Sequence, residues 1–268
     1  MTSTLKIMIL GDVVGKTGRE ACKTLIPQLR ESEELDCVIV NVENLAGGSG
    51  INAACVDELF RSGVDVMTNG DHAFRKKEGV EIYQTNKKVL RPANYPLRVP
   101  GEGSVIVQVS GVKIAVLNLM GRVFMKPLDC PFEKARNEVE RLRRETPVII
   151  VDIHAEASAE KAALGWFLDG KVSCVVGTHT HVQTADDKIL PKGTAYLTDL
   201  GMCGSHHSVI GREPADAIHM FTTQMPVHLR IAEEDPRVSG LIVEVDPESG
   251  RALNLRRINE GISEHAHV

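Results

Sequence analysis

The pattern of hydrophobic and polar positions predicts strands that alternate with helices in the N-terminal part of the chain. Short runs rich in Val, Ile and Leu are typical of buried strands at residues 5–10, 37–41 and 64–68. The segments between them, residues 18–31 and 52–63, carry apolar side chains at the spacing of a helix. Strands joined through helices run parallel, so this part of the chain predicts a parallel sheet with helices on its faces.

The rest of the chain predicts a second group of strands. Two apolar runs separated by Ser110 and Gly111 indicate a β-hairpin. A connection rich in Pro and Gly precedes it at residues 91–103, and residues 132–145 have helical spacing. We therefore expect one α/β domain over residues 1–268, with two mixed β-sheets packed face to face and flanked by helices. The further predicted strands are residues 147–154, 171–179, 193–201, 227–232, 240–246 and 253–258.

The composition is that of an ordinary globular protein. The chain has 43% hydrophobic and 25% charged residues, with a net charge of −5 and a pI of about 6.1. A protein that binds nucleic acid through a basic surface has the opposite charge balance, so the sequence gives no strong signal of nucleic-acid binding. A small nucleotide remains compatible with this composition.

Cysteine usage and hydropathy indicate a reduced compartment away from membranes. The six cysteines are scattered without a C-x-x-C pair, which favours buried free thiols over a disulfide framework. The N-terminal apolar run is too short for the core of a signal peptide, and no later run is long enough to span a bilayer. We therefore expect a cytoplasmic protein with no membrane partner.

Five predicted strands end in side chains that can bind a metal ion. In open α/β sheets, ligands bind at the carboxyl edge of the parallel strands. If the five strands are parallel, their terminal side chains meet at that edge. The residues are Asp12, Glu43, Asn44, Asp71, His72, His154, His179 and His181.

Most of these residues have an ordinary structural explanation when each is considered alone. Asp12 could cap the following helix, and Glu43 with Asn44 could form a turn. Asp71 and His72 could in the same way simply end a strand. The joint pattern is more specific, because it places a carboxylate or imidazole at one strand end after another.

The pair His179 and His181 is the strongest single signal. In an extended backbone, residues two positions apart point to the same side, and neutral imidazole is the commonest metal ligand in proteins. Oxygen and imidazole ligands without thiolates suit Mn, Fe or Zn. The whole set is too large for one ion but fits two ions about 3.5–4 Å apart that share a carboxylate.

These residues lie in stretches that resemble the calcineurin-like metallophosphoesterases, whose motifs run D-x-H, G-D, G-N-H, H and G-H-x-H. The closer similarity is to the YmdB-like family of bacterial dinuclear phosphodiesterases. The resemblance spans most of the chain, and its segments fall in order. The matching stretches are GDVVGKTGR (11–19), NVENLAGGSGI (41–51), TNGDHAFRKKE (68–78), RPANYP (91–96), NLMGRVFM (118–125), VDIHAEASAEK (151–161), VVGTHTHVQTAD (175–186) and DLGMCGSHHSVIG (199–211).

The resemblance implies a four-layer αββα sandwich that holds two divalent or mixed-valence metal ions. Iron or manganese is most expected, and zinc is an alternative. His72 would be the catalytic histidine, facing the phosphate without binding metal. The implied ligands are Asp12, Glu43, Asn44 and His181 for one ion, and Glu43, Asp71, His154 and His179 for the other, with Glu43 bridging the two.

Two positions depart from the general motifs. Asp12-Val13-Val14 stands where D-x-H is usual, so the histidine is missing and Asn44 can take its place. The G-N-H motif reads G-D-H, which puts Asp71 where the asparagine is expected and adds one negative charge. A less positive metal centre is expected to attract an anionic phosphate less strongly.

The implied function is hydrolysis of phosphodiester bonds by a two-metal mechanism with a bridging hydroxide. The expected substrates are 2′,3′-cyclic nucleotides, followed by 3′,5′-cyclic nucleotides. A phosphomonoesterase and a regulatory metal-binding scaffold with little turnover stay open as alternatives. Asn118 and Arg122, near another predicted strand end, are weaker candidates for substrate contacts. A homo-oligomer is also implied, with contacts expected within residues 91–131 or 202–228.

Overall fold

Two β-sheets of six strands each form the centre of the structure, a computed structural model that describes residues 4–262. The strands of the first sheet are β1 (Leu5–Val13), β2 (Cys37–Asn41), β3 (Val66–Thr68), β10 (Met202–Ser205), β11 (Pro236–Val245) and β12 (Ala252–Gly261). Those of the second are β4 (Ser104–Val109), β5 (Val112–Met120), β6 (Ile149–His154), β7 (Cys174–Thr178), β8 (Lys188–Ile189) and β9 (Ala195–Leu197). The helices are α1 (Gly15–Ser32), α2 (Ala53–Arg61), α3 (Gly79–Thr85), α4 (Pro131–Leu142), α5 (Ser158–Leu168) and α6 (Pro214–Thr223).

Both sheets are mixed, with a parallel centre. In the first sheet β1, β2 and β3 are parallel, β10 joins β1 in parallel, and β11 and β12 add antiparallel strands. In the second sheet β5, β6, β7 and β9 are parallel, while β4 and β8 pair antiparallel at the edges. Parallel central strands bring their carboxyl ends to one side of each sheet, where ligand sites form in such folds.

Three apolar clusters separate four layers of structure. Between the sheets, residues of β1 such as Ile7 and residues of β6 such as Ile150 belong to one buried cluster. A second cluster joins α1 and α2 to the outer face of the first sheet, and a third joins α4 and α5 to the outer face of the second. The αββα sandwich expected from the sequence is confirmed, because each sheet buries one face against the other and one against helices.

Several elements differ from the sequence-based expectations. The predicted strand at residues 227–232 does not form, and Ile231 makes only an isolated bridge to Arg212. The segment alternates in hydrophobicity, but its backbone exchanges hydrogen bonds with the loop at residues 211–213 and joins neither sheet. β1 continues to Val13, so Asp12 lies inside the strand and not in a loop after it.

The cysteine and hydropathy predictions can be compared with the described residues. All six cysteines are free, and five of them are buried. Within residues 4–262, no helix is both long and apolar enough to cross a bilayer.

Candidate metal centre

The residues at the predicted strand ends come together at one edge of the sandwich, and they come from both sheets. Asp12 belongs to β1, while further members follow β2 and β3 in the first sheet. His154 is the last residue of β6, and His179 and His181 follow β7 in the second sheet. The site therefore lies where the carboxyl ends of two sheets meet.

A β-bulge sets the position of Asp12. The pairing of β1 with β2 changes register between Leu10 and Asp12. A Cβ atom at Gly11 would lie 1.9 Å from the carbonyl oxygen of Gly201, so only glycine permits this approach. Asp12 is fully buried, and its Oδ2 accepts a hydrogen bond from the backbone N–H of His179 at 3.0 Å.

Two groups of side chains could each hold a metal ion. Within each group, the ligand atoms all lie within 4.8 Å of one another. One carboxylate belongs to both groups, as expected for two ions that share a ligand. The first group is Asp12, Glu43 and His181, and the second is Glu43, Asp71, His154 and His179.

Two buried carboxylate oxygens in this site lack a hydrogen-bond partner within residues 4–262. They are Oδ1 of Asp12 and Oδ1 of Asp71, one from each group. Each lies within ion-pair distance of a ring nitrogen of His154, at 3.7 Å for Asp12 and 3.4 Å for Asp71. A buried anionic oxygen without a hydrogen bond is costly, and coordination to a metal ion removes that cost. The donor atoms therefore fit metal ions, both in their chemistry and in the positions of these two oxygens.

The carboxylates and imidazoles of the site change one another's pKa. Burial raises the pKa of Asp12 to about 6. Burial opposes the charged form of His154, but the nearby Glu43 and Asp71 outweigh it and raise the pKa of this histidine well above its usual value. For Glu43 burial is likewise outweighed, here by His154 and His72, and its pKa is lowered. The buried negative charge thus favours protons or cations, so protons compete with metal at low pH.

A chain of hydrogen bonds orients His154. The hydroxyl of Thr178 donates to Oδ1 of Asp152 at 2.8 Å, so it can only accept from Nδ1 of His154, which lies 2.9 Å away. Nδ1 therefore carries a proton in either charge state, and Nε2, 3.0 Å from Oε2 of Glu43, is the nitrogen that can bind a metal ion once its own proton is displaced. Such partners commonly fix the tautomer of a metal-binding histidine.

The segment His179-Thr180-His181 is not extended, which corrects the sequence-based reasoning. His179 has φ of 100° and His181 has φ of 65°, both in the left-handed region that side-chain-bearing residues rarely adopt. The two imidazoles consequently serve different groups, one with Glu43 and Asp71 and the other with Asp12. Strand geometry therefore does not explain how they converge on the site.

A buried ion pair holds this strained segment. Nζ of Lys161 lies 2.6 Å from Oδ2 of Asp199, and both side chains are inaccessible to solvent. The same oxygen accepts hydrogen bonds from the backbone N–H and the hydroxyl of Thr180, at 3.1 and 2.7 Å. Asp199 therefore anchors the residue between the two histidines.

Asn44 stands between the first group and His72. Its Nδ2 lies 2.8 Å from Oε1 of Glu43 and 3.1 Å from Nε2 of His181, while its Oδ1 lies 3.0 Å from Nδ1 of His72. His72 is partly exposed, and its Nε2 is 3.8 Å from Oδ2 of Asp71. Asn44 and His72 are thus both placed at the site, and the Asn44 amide connects the two.

Asn118 has a structural position that leaves it unsuited to the substrate contact suggested by the sequence. It lies within β5, is fully buried, and exchanges two hydrogen bonds of 2.9 Å with the backbone of Asn69. Both of its polar groups are therefore occupied. Arg122 is exposed in the loop after β5, where its backbone N–H donates to Glu160.

Other residues around the site were not singled out from the sequence. Two of them stand out in the sequence as charged residues at buried positions. Asp152 is a carboxylate inside an apolar strand, and Lys161 is a cation on the buried face of a helix. A cavity of about 420 Å³ opens beside His72 and has no comparable sequence signal, because it is formed by separate loops. Its walls are Asp71, His72, Phe74, Arg75, Tyr95 and Lys126.

Proteins of related sequence and fold match this chain over nearly their whole length. The chain is 42% identical over 254 residues to a Bacillus subtilis (strain 168) protein named 2′,3′-cyclic-nucleotide 2′-phosphodiesterase, covering 95% of this chain and 96% of that protein. A crystal structure of a Thermus thermophilus protein has 37% identity and a TM-score of 0.89, covering 96% of this chain and 99% of the other. The crystal structure of a Mycoplasma pneumoniae phosphatase has 34% identity and a TM-score of 0.91, covering 97% and 95%.

A sequence model of a protein family also matches the chain. The family is described as YmdB-like protein, and the match covers residues 8–258, a span that contains both groups of ligand side chains. The same span contains His72, Asn44 and the cavity beside them. The chain therefore belongs to the YmdB-like protein family.

Proposed function

We propose that this protein hydrolyses a phosphodiester bond of 2′,3′-cyclic nucleotides with the help of two metal ions. Family membership makes the chain a metallophosphoesterase. The observation that carries the finer proposal is the pair of ligand groups that share Glu43, each with a buried carboxylate oxygen that accepts no hydrogen bond from the described residues. The name of the Bacillus subtilis relative supports the substrate class.

The proposed ligands divide between two ions, for which Fe or Mn is favoured and Zn is an alternative. When bound, the ions would neutralise the phosphate oxygens and lower the pKa of a water molecule. The protein's part is to fix these ligands on two packed sheets. The proposed ligands are Asp12, Glu43, Asn44 and His181 for one ion, and Glu43, Asp71, His154 and His179 for the other.

Asn44 would link metal binding to the protonation of His72. A metal ligand must use the amide oxygen, which here lies 3.0 Å from Nδ1 of His72. In this orientation Oδ1 can accept a hydrogen bond from Nδ1–H, and Oε1 of Glu43, 3.2 Å from Nδ1, is a second acceptor for the same proton. Two acceptors at Nδ1 favour the imidazolium form, which can donate its Nε2 proton to the leaving oxygen.

His72 is proposed as the general acid that protonates the leaving oxygen. Its hydrogen bond to Glu43 raises its pKa, which favours the protonated form near neutral pH. It lines the cavity described above, so a substrate in that cavity would place its leaving oxygen near the imidazole. In a nucleoside 2′,3′-cyclic phosphate, opening at the 2′ bond makes the ribose 2′ oxygen the leaving group and gives a 3′-phosphate.

Comparing two leaving groups tests this proposal. Metal-reconstituted wild type and His72→Ala are assayed with adenosine 2′,3′-cyclic phosphate and with bis-p-nitrophenyl phosphate, whose leaving group needs no proton. We expect His72→Ala to lose roughly 10²–10⁴-fold in kcat on the cyclic nucleotide and far less on the nitrophenyl ester. His207→Ala, an exposed histidine paired with Glu234, is the control.

Two results would contradict the proposal. Equal losses on both substrates would show that His72 is not the proton donor. No turnover by wild type with Mn, Fe or Zn would favour the metal-binding scaffold over the enzyme.

We also propose that the protein forms a homo-oligomer through α6, which lies in one of the two regions expected from the sequence. Its residues Ile218 and Phe221 are exposed, as is Met225 just after the helix. An exposed apolar face of this kind is typical of an interaction surface.

A further inference from the structure

The cavity beside His72 contains cationic groups that the proposed chemistry does not use. The guanidinium of Arg75 is exposed and has no hydrogen-bond or ion-pair partner within residues 4–262. Nζ of Lys126 donates to the backbone carbonyl oxygen of Asp71 at 3.0 Å, which leaves two of its three N–H groups available. No carboxylate of the described residues forms an ion pair with either side chain, so both remain available to an anion.

An aromatic wall faces these cations. The ring of Phe74 packs edge-on against Tyr95, with 5.4 Å between centroids, and also contacts Tyr83 at 5.1 Å. Burial raises the pKa of Tyr95 to about 12, so its phenol stays neutral. The volume of about 420 Å³ falls within the range of about 300–1,000 Å³ that is usual for small-molecule sites.

The position of His72 decides which part of the substrate enters this cavity. A general acid must lie within hydrogen-bond reach of the oxygen that it protonates. Since His72 and Asp71 form one wall, a leaving oxygen protonated by His72 would lie at the edge of the cavity. In a 2′,3′-cyclic nucleotide that oxygen is O2′ of the ribose, so the nucleoside that carries it would extend into the cavity.

Resting on the function proposed above, we propose that the cavity binds the nucleoside and that Arg75 and Lys126 bind a second phosphate on its 5′ oxygen. A simple nucleoside 2′,3′-cyclic phosphate has one phosphate, which the metal ligands take, and leaves both cations without a partner. Guanidinium and ammonium groups are the usual partners of phosphate oxygens. The second phosphate would belong to a 5′-phosphorylated mononucleotide or to the last phosphodiester of an RNA fragment.

Three substrates distinguish these sources. They are adenosine 2′,3′-cyclic phosphate, the same compound with a 5′-phosphate, and a diadenosine RNA that ends in a 2′,3′-cyclic phosphate. We expect metal-loaded wild type to hydrolyse at least one of the two longer substrates with a kcat/KM about tenfold higher than the simple one, mainly through KM. A larger gain with the dinucleotide identifies an RNA end, and a larger gain with the 5′-phosphate identifies the mononucleotide.

Substitution of the cations tests the assignment directly. In Arg75→Gln and Lys126→Gln the ratio between longer and simple substrates should fall towards one, whereas Lys77→Gln, an exposed lysine outside the cavity, keeps the wild-type ratio. The wild-type ratio should also fall as salt is added. Equal kcat/KM for all three substrates, or a preference that survives both substitutions, would overturn the inference.

A binding measurement separates this inference from the proposed function. Calorimetric titration of metal-loaded protein compares adenosine 3′-phosphate with adenosine 3′,5′-bisphosphate. We expect the bisphosphate to bind about tenfold more tightly to wild type, and Arg75→Gln to lose that difference. If no substrate is hydrolysed but the bisphosphate is preferred, the proposed function fails and the second phosphate site stands. Equal affinities would overturn the site whatever the activity.

Discussion

Asp71 is the residue whose chemistry distinguishes this site from the family motif as it is usually written. Its Oδ1 is buried without a hydrogen bond and lies 3.4 Å from Nε2 of His154 and 3.8 Å from Nδ1 of His179. With two divalent ions and one hydroxide, the three carboxylates of Asp12, Glu43 and Asp71 would make the centre neutral. An asparagine at position 71 would leave it with one positive charge.

Asp71→Asn is expected to raise kcat/KM for an anionic diester by on the order of tenfold. The substitution gives the metal centre one more positive charge, and this charge would attract the substrate phosphate in a largely desolvated site. The same change should weaken retention of a trivalent ion. Steady-state kinetics and metal analysis on the same preparations measure both effects. Asp57→Asn on the exposed side of α2 changes charge equally without touching the site. Unchanged kinetics and metal content in Asp71→Asn would refute the charge argument.

At the scale of single residues, the sequence was sufficient to identify the candidate ligands but not how each is held. The order of polar residues at strand ends pointed to Glu43 and His154 because buried strands rarely end in such groups. The positive φ angles of His179 and His181 depend on how their loop packs against distant parts of the chain. The local pattern of hydrophobic and polar residues does not predict such angles. Asn118 was assigned a substrate contact because the sequence does not show that its side chain bonds to the backbone of Asn69, in the loop after β3.

Among the elements, β6 and β7 form a unit in which one strand orients the ligand of the other. Thr178 on β7 links Asp152 and His154, both on β6. Asp152 also accepts a hydrogen bond from Nδ2 of Asn41 at 3.0 Å, which ties the first sheet to the second. These contacts could not be predicted because they depend on the register between strands and on the packing of the two sheets.

Thr178→Val is expected to lower metal affinity by about 10–100-fold, because His154 loses the acceptor that fixes its Nδ1 proton. Thr178→Ser keeps the hydroxyl and should restore most of the affinity. Competition with a chromophoric chelator measures the dissociation constant in each variant. A valine variant with wild-type affinity, or a serine variant as weak as the valine one, would contradict this role.

The link between α5 and the loop after β9 gives a stability prediction. Lys161→Met leaves Asp199 buried without its cation and should lower the free energy of unfolding by about 3–5 kcal/mol. Urea unfolding of the metal-loaded protein measures this change. Lys23→Met on the exposed side of α1 is the control and should stay within about 0.5 kcal/mol of wild type. A loss for Lys161→Met no larger than that of the control would show that the ion pair does not hold the loop.

For the molecule as a whole, the sequence predicted the layered fold well because parallel strands with intervening helices have few packing solutions. The missing strand at residues 227–232 shows the limit of that reasoning. Hydrophobic alternation predicts a strand only where a neighbouring strand is available.

The proposed oligomer depends on α6. Ile218→Ser with Phe221→Ser removes apolar surface from this helix and should lower the mass found by sedimentation velocity below that of wild type. Phe124→Ser, which alters an even more exposed residue in the other expected region, should keep the wild-type mass. A monomeric wild type, or an unchanged mass in the α6 variant, would exclude this interface.

The number of metal ions per chain tests the central claim most directly. Protein purified without chelators and analysed by inductively coupled plasma mass spectrometry should contain two transition-metal ions per chain. His181→Ala should retain one, because only the group with Asp12 loses a ligand specific to it. A wild-type content of one ion or none after reconstitution with Mn, Fe or Zn would contradict a dinuclear centre that shares Glu43.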